Sequence, residues 1–340
     1  MLVVRPVRFD DLPEIEHLAV TAGDSMTTLP NNRDHLAQLI NATQQSLQHR
    51  VTKPAGQSYH FVLADSATGE LHGIAGIEAC VGYDSPFYSY RCDQVEHHSA
   101  ELQIRNTVAT LRLCQDYQGA SRLYTFFLPG NNAASESFRL LSLSRLMFIG
   151  QHLQRFNPLL MLELQGVQDA QGKSPFWQAL GQHFFNMDFH RANYLSGINA
   201  KGFIADLMPH YPVYVPLLSD SAQRVMGCTR PDMQQVQQLL TAEGFSENGY
   251  ISIFDGGPTL QAKIKELRSI ACQFATVAVI TETPTASNTS KVLISNNLLQ
   301  SYACIYAEVD LADIRLSSVQ GEQLQVSAGD TLYILPLAET

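Results

Sequence analysis

Leu123-Tyr124-Thr125-Phe126-Phe127-Leu128-Pro129-Gly130, a helical stretch from Ser135 to Phe156, and Leu159-Leu160-Met161-Leu162-Glu163-Leu164 together decide the fold. The first run is apolar and rich in aromatic residues, and it breaks at Pro129-Gly130, as a strand does. Between the two runs, Leu140, Leu141, Leu143, Leu146 and Met147 recur at helical spacing. A strand, a long helix and a second strand predict two neighbouring parallel strands.

Upstream, Leu2-Val3-Val4-Arg5 is a β run ended by Pro6. Asp10-Asp11 is expected to cap a helix bearing Leu12, Ile15, Leu18 and Ala19 on one face. A second amphipathic helix is expected over 33–48, then two strands, Tyr59 to Ala64 and Gly73 to Glu78, around a turn. Downstream the pattern predicts a helix from Pro175 to Asn186 and helical character from Ala200 to Gly244. A strand from Tyr250 to Phe254 then runs into Asp255-Gly256-Gly257-Pro258. Residues 281–290, rich in Thr, Ser, Pro and Asn, read as an exposed connection, and short β runs follow. The expected organisation is an α/β body over 1–280 with a helical insertion around 200–245, and a small β-rich C-terminal subdomain over 281–340.

The 340 residues suit about two domains, or one large domain with an appendage, and 45% apolar against 16% charged residues can build a core. A net charge of −10, with 22 Lys and Arg against 32 Asp and Glu and no basic run, argues against a nucleic-acid partner. No apolar run approaches the roughly 18 residues of a membrane helix. Met1 to Pro6 lacks the charged and apolar regions of a secretory signal, so a soluble, cytoplasmic chain without membrane contact is expected. The six cysteines are scattered without a C-x-x-C pair and read as reduced thiols, mostly buried. His97-His98 are adjacent rather than four apart, and no metal site is expected.

The nucleotide and nucleophile motifs G-x-G-x-x-G, G-x-x-x-x-G-K-[ST] and G-x-S-x-G are missing, which sets aside dinucleotide enzymes, P-loop enzymes and α/β hydrolases. The remaining order of elements resembles the GNAT acyl-CoA N-acyltransferase superfamily. That resemblance implies an α/β (α+β) fold whose fourth strand, Leu123 to Leu128, splays from the fifth, Leu159 to Leu164. Acyl-CoA would lie in the gap, its pyrophosphate facing the helix that starts at Ser135.

Longer words narrow the resemblance. Thr28-Leu29-Pro30, the run from Asp84 to Arg91, Ser174 to Gly181, Phe184 to Phe189, Ala205 to Tyr214 and Phe254 to Thr259 resemble the arginine N-succinyltransferase family in order and spacing, over roughly 1–335. Met208 to Leu218 looks most like the α chain of the two-chain arginine/ornithine form. The family resemblance implies transfer of succinyl from succinyl-CoA, a co-substrate rather than a tightly bound cofactor, to the α-amine of L-arginine or L-ornithine in arginine catabolism. It places acyl-CoA contact at Phe126, with Leu128 and Ser135 beside it. The family's proton-donor His corresponds here to Arg230, in Gly227-Cys228-Thr229-Arg230-Pro231; an arginine keeps its proton at neutral pH, so it can stabilise charge without cycling as an acid.

A second departure lies in the phosphate loop, where Ala133 stands for the family's arginine and Glu136 and Phe138 for glycines. Three further candidates each carry a structural alternative. His97, in a His-x-Ser word shared with the family, is either a catalytic or a plain loop histidine. Asp255 either meets an amine or forms a turn, and Arg91 either binds a substrate carboxylate or makes a surface ion pair. Two readings stand: an α-type succinyltransferase chain, or a non-catalytic partner subunit with a decayed CoA site. Either implies a homodimer or a heteromer with a β-type paralogous chain. Bare strand edges and Ile305, Tyr306 and Val309 in the C-terminal segment support that assembly.

Overall fold

The computed structural model describes residues 1–23, 26–130, 133–197, 202–208, 211–282 and 289–338. The chain begins β1 (Leu2–Pro6), α1 (Leu12–Ala22), α2 (Arg33–Gln48), β2 (Ser58–Asp65), β3 (Leu71–Glu78), β4 (Ser89–Ser99), β5 (Ile104–Cys114), β6 (Ser121–Phe127), α3 (Glu136–Gln151) and β7 (Leu159–Glu163). It continues α4 (Pro175–Ala179), α5 (Gly181–Phe185), α6 (Phe189–Gly197), α7 (Gly202–Leu207), β8 (Val213–Tyr214), α8 (Asp220–Val225), α9 (Gln234–Glu243), β9 (Ser246–Ile251) and β10 (Pro258–Lys263). It ends α10 (Arg268–Ala271), β11 (Phe274–Val277), β12 (Ile280–Thr281), β13 (Ser290–Asn296), β14 (Cys304–Val309), β15 (Leu316–Ser317), α11 (Ser318–Leu324) and β16 (Thr331–Pro336). Positions 131–132 of the loop after β6, 198–201 and 209–210 of the expected helical insertion, and 283–288 of the expected connection lie outside the described residues.

Among the described residues fourteen strands form one mixed sheet, ordered β11-β16-β13-β14-β1-β2-β3-β6-β7-β10-β9-β4-β5-β8. Apolar residues cover both faces. On one, α1 and α2 bury Ile15, Leu18, Leu36 and Ile40 against Val62 and Ile74. On the other lies α3, in which Leu140, Leu141 and every residue from Leu143 to Ile149 are buried. That buried stretch includes Ser144 and Arg145, and the helix is covered on its far side by α10. A third cluster joins Tyr90 and Leu111 to the short helices after β7, with Trp177 stacked 5.2 Å from Phe185 and 5.8 Å from Phe254.

Several expectations are corrected here. The β4–β5 hairpin was not anticipated, because its outer half is exposed on both faces and carries no period-2 signal. The helix expected over 175–186 is two short helices that meet at Leu180. The strand near 250 lies earlier, over β9, and Pro258 opens β10 instead of ending a turn. Asp11 does not cap α1; its carboxylate takes Arg5 at 2.7 Å and accepts the Arg8 N–H at 2.7 Å. The strands after residue 289 continue the body's sheet, since β14 pairs with β1 through Val3 and Val4. That packing buries Ile305 completely and leaves Val309 4% exposed, so these residues offer no bare surface to a partner. Of the cysteines, only Cys304 is buried, while Cys92, Cys228 and Cys272 are exposed.

Candidate active site

β6 and β7 run parallel but pair only at Ser121–Leu160 and Arg122–Met161. Beyond Arg122 the ladder ends. The cause lies in β6, where Ile74 of β3 faces Phe127 and Gly76 faces Tyr124, so three steps along β6 match two along β3. The extra residue makes a bulge at Thr125, whose φ of +47° is unusual for a β-branched side chain. Such a conformation costs on the order of 1–3 kcal/mol and persists only where packing enforces it. Thr125 is 2% exposed, and its hydroxyl donates to the Thr28 carbonyl at 3.3 Å. Gly76 has no alternative residue at this crossing, because a Cβ there would stand 2.9 Å from the Tyr124 ring.

The split opens into a cleft of about 680 Å³. Phe126, Leu128, Leu162 and Leu164 line the gap itself, while Phe138, Ser142 and Arg145 of α3 line one side. Polar groups from β2, β3, β6 and β7 line the other. There Arg122 pairs with Glu78 at 2.7 Å and stands 5.2 Å from the Phe87 ring and 5.0 Å from that of Tyr124. The Tyr124 hydroxyl lies 2.8 Å from that of Ser58, and burial, then Glu78, pushes the phenol pKa up. His60 Nδ1 shares a 3.1 Å hydrogen bond with Thr43, and its Nε2 is buried without a hydrogen-bond partner among the described residues. Burial, and then His35, pushes the His60 pKa down to about 3, so the imidazole is neutral at physiological pH. Glu163, at the end of β7, also faces the cleft.

Phe126, Leu128, Arg230 and Asp255 all line this cleft. Phe126 packs on Phe138 at 4.8 Å. Arg230 is held by Asp232 through two bonds of 2.6 and 2.8 Å. Asp255 points into the protein: one carboxylate oxygen accepts the Gly166 N–H at 2.8 Å and the other the Gly257 N–H at 3.0 Å. Burial raises its pKa and these bonds oppose the rise. Asp255 thus staples the end of β7 to the turn before β10, the turn-forming use of an Asp-Gly pair.

Ser135, Arg91 and His97 do not line the cleft. Ser135 is the N-cap of α3 and accepts the Phe138 N–H at 3.1 Å. Arg91 pairs with Asp93 at 2.8 Å and Asp116 at 3.6 Å on the surface. His97 is exposed on the β4–β5 hairpin, its ring 6.0 Å from that of Tyr214. In the loop after β6 and the first turn of α3, Ala133 and Phe138 are buried and Glu136 is exposed. The residues missed from sequence are Glu78, Arg122, Tyr124, His60 and Arg145. They come from separate strands and a helix and share no local word. Among the described residues no group of three His, Cys, Asp or Glu could hold a metal ion, and no helix is long and apolar enough to cross a membrane.

Two parallel strands that part around a bulge, with a cleft between them, make this a mixed α/β protein of acyltransferase-like fold. Comparison with known proteins narrows the class. A family model described as Arginine N-succinyltransferase beta subunit matches residues 2–269, and the chain belongs to the arginine N-succinyltransferase family. It is 39% identical over 338 residues to the Arginine N-succinyltransferase subunit alpha of Pseudomonas aeruginosa, covering 98% of this chain and 99% of that one. It is 39% identical over 339 residues to the Arginine N-succinyltransferase of Shigella flexneri, covering 99% and 98%. The solved structure of arginine/ornithine succinyltransferase subunit AI from Pseudomonas aeruginosa superposes with a TM-score of 0.91 at 36% identity, covering 100% of this chain and 99% of that chain.

Proposed function

We propose that this chain transfers the succinyl group of succinyl-CoA to the α-amine of L-arginine, or of L-ornithine, as an α-type chain of GNAT-like architecture. The observation that carries this reading is the parting of β6 and β7 directly beyond Arg122–Met161, beside the bulge at Thr125. A bulge leaves ladder groups unpaired, and an N–H so freed can hold the thioester carbonyl as it becomes an oxyanion. The pantetheine arm lies between Phe126 and Leu162, and the pyrophosphate reaches the first turn of α3, capped by Ser135.

The chemistry is aminolysis. The amine nitrogen bonds the thioester carbon, the carbon–sulfur bond breaks, and CoA leaves as a thiolate. The amine proton must go to a base, and the carboxylates Glu78 and Glu163 face the cleft on the side left free by CoA. Arg230, locked by Asp232 at the rim, supplies positive charge to the leaving sulfur and no proton. Asp255 positions the segment that carries Arg230, through Gly166. His97 and Arg91 lie outside the cleft and belong to this reading only through a neighbouring chain, a second copy or a β-type partner.

The test is release of free thiol from succinyl-CoA by the purified chain, alone and co-expressed with a paralogous chain. Release that requires both succinyl-CoA and L-arginine is expected. No release under either condition overturns the reading and leaves the chain a non-catalytic subunit.

A further inference from the structure

Three arginines line the cleft, and two of them are ion-paired, Arg122 with Glu78 and Arg230 with the exposed Asp232. The third, Arg145, sits on the third turn of α3, is 4% exposed, and has no carboxylate within 4.0 Å among the described residues. Its contacts are sparse. Nη1 donates to the Gly76 carbonyl at 3.3 Å, Nε donates to the Ser142 carbonyl at 3.4 Å, and the guanidinium carbon stands 5.0 Å from the Phe126 ring centre. Nη2 has no hydrogen-bond partner among the described residues.

Burying a guanidinium without a counter-ion is costly, and any neutral donor could hold the Gly76 carbonyl without that cost. Burial lowers the Arg145 pKa to about 9, which still leaves it charged at neutral pH. The position of the charge is informative. Arg145 lies ten residues into α3 from Ser135, about 15 Å along the axis at 1.5 Å per residue. It lies under Phe126, beside the bulge. A thioester with its phosphates at the start of α3 and its carbonyl at the bulge directs its acyl chain toward this guanidinium.

We propose that Arg145 receives the distal carboxylate of the succinyl group and sets the preference for a dicarboxylic acyl-CoA. This rests on the cleft being the acyl-CoA site, as argued above. A guanidinium with free N–H donors in a low-dielectric floor matches a carboxylate and rejects a methyl in its place.

The experiment compares succinyl-CoA with butyryl-CoA, in which a methyl replaces the carboxylate on the same carbon chain. Affinity is read by calorimetry and turnover with L-arginine by thiol release, for the unmodified chain, Arg145→Met and Arg145→Lys. Arg145→Met is expected to lower kcat/KM and affinity for succinyl-CoA roughly a hundredfold while changing those for butyryl-CoA less than about threefold. Arg145→Lys is expected to keep an intermediate preference and carries the comparison should Arg145→Met not fold. Equal losses for both thioesters would mean that Arg145 serves only the Gly76 carbonyl, and would overturn the proposal. So would an unmodified chain that binds the two thioesters equally. An unmodified chain that binds neither thioester removes the acyl-CoA reading of the cleft, and this inference falls with it.

Discussion

His60 shows how a buried side chain becomes a pH sensor of stability. Its pKa is pushed down to about 3 in the fold, against an ordinary value of 6.5. Between those values the unfolded chain binds a proton that the folded chain refuses, so stability is full above pH 6.5 and falls as pH drops toward 3. The slope from this one group is about 1.4 kcal/mol per pH unit. His60→Gln should flatten that limb, read from urea midpoints between about pH 7 and pH 5; an unchanged slope would assign acid sensitivity elsewhere. Asp255 makes a second prediction at this scale. Asp255→Ala strands the buried N–H groups of Gly166 and Gly257, at about 1–3 kcal/mol each. A stability loss of about 2–6 kcal/mol by denaturant titration is therefore expected, and a loss below about 1 kcal/mol would contradict the stapling role.

At the scale of elements, α3 matters most, since it lines the cleft and fills the core at once. Ser135 caps it, and Ser135→Ala should cost about 1 kcal/mol in thermal or chemical unfolding. Glu136, in the same first turn, is exposed and lies beside Tyr306, whose phenol is pushed up to about 12 by burial and then by that carboxylate. If CoA phosphates meet this helix end, Glu136 opposes them through solvent, a screened effect of about 0.3–1 kcal/mol. Glu136→Gln should then tighten CoA roughly two- to fivefold, and added salt should shrink the gain. Calorimetry at two salt concentrations reads both. No gain at low salt would place the phosphates away from this turn.

At the scale of the molecule, one sheet carries both ends of the chain. β14 pairs with β1, and β13 and β16 extend the sheet beyond it. Val292, Ile294, Ile305 and Ile334 share a cluster with Val3, Ile15 and Leu36, while Leu293 and Leu335 join Phe148 on the opposite face. Removing everything after residue 282 would strip β1 of one of its two neighbours, β14, and open both clusters. Such a truncated chain should fail to give a cooperative thermal transition, and the intact chain should melt as one unit. A truncated chain that melts cooperatively would show instead that the body over 1–280 folds by itself.

The strand–helix–strand from Leu123 to Leu164, the helix over 33–48 and the strands β2, β3 and β13 were legible because each carries enough apolar residues to mark an element by itself. The family was legible because its words are contiguous. The bulge was not, since Thr125 reads as an ordinary strand residue and its left-handed φ is imposed by β3 and the Thr28 loop. Nor were the hairpin β4–β5, whose outer half buries nothing, and the assignment of Asp255, which lines the cleft yet spends its carboxylate on two backbone N–H groups. Arg145 reads in sequence as one polar position in an apolar helix. Only tertiary packing covers that helix on all sides and turns an ordinary charge into a buried one facing the cleft. Local sequence determined which segments become strands and helices; how the strands pair, and which charges are left without partners, was decided by residues distant in sequence.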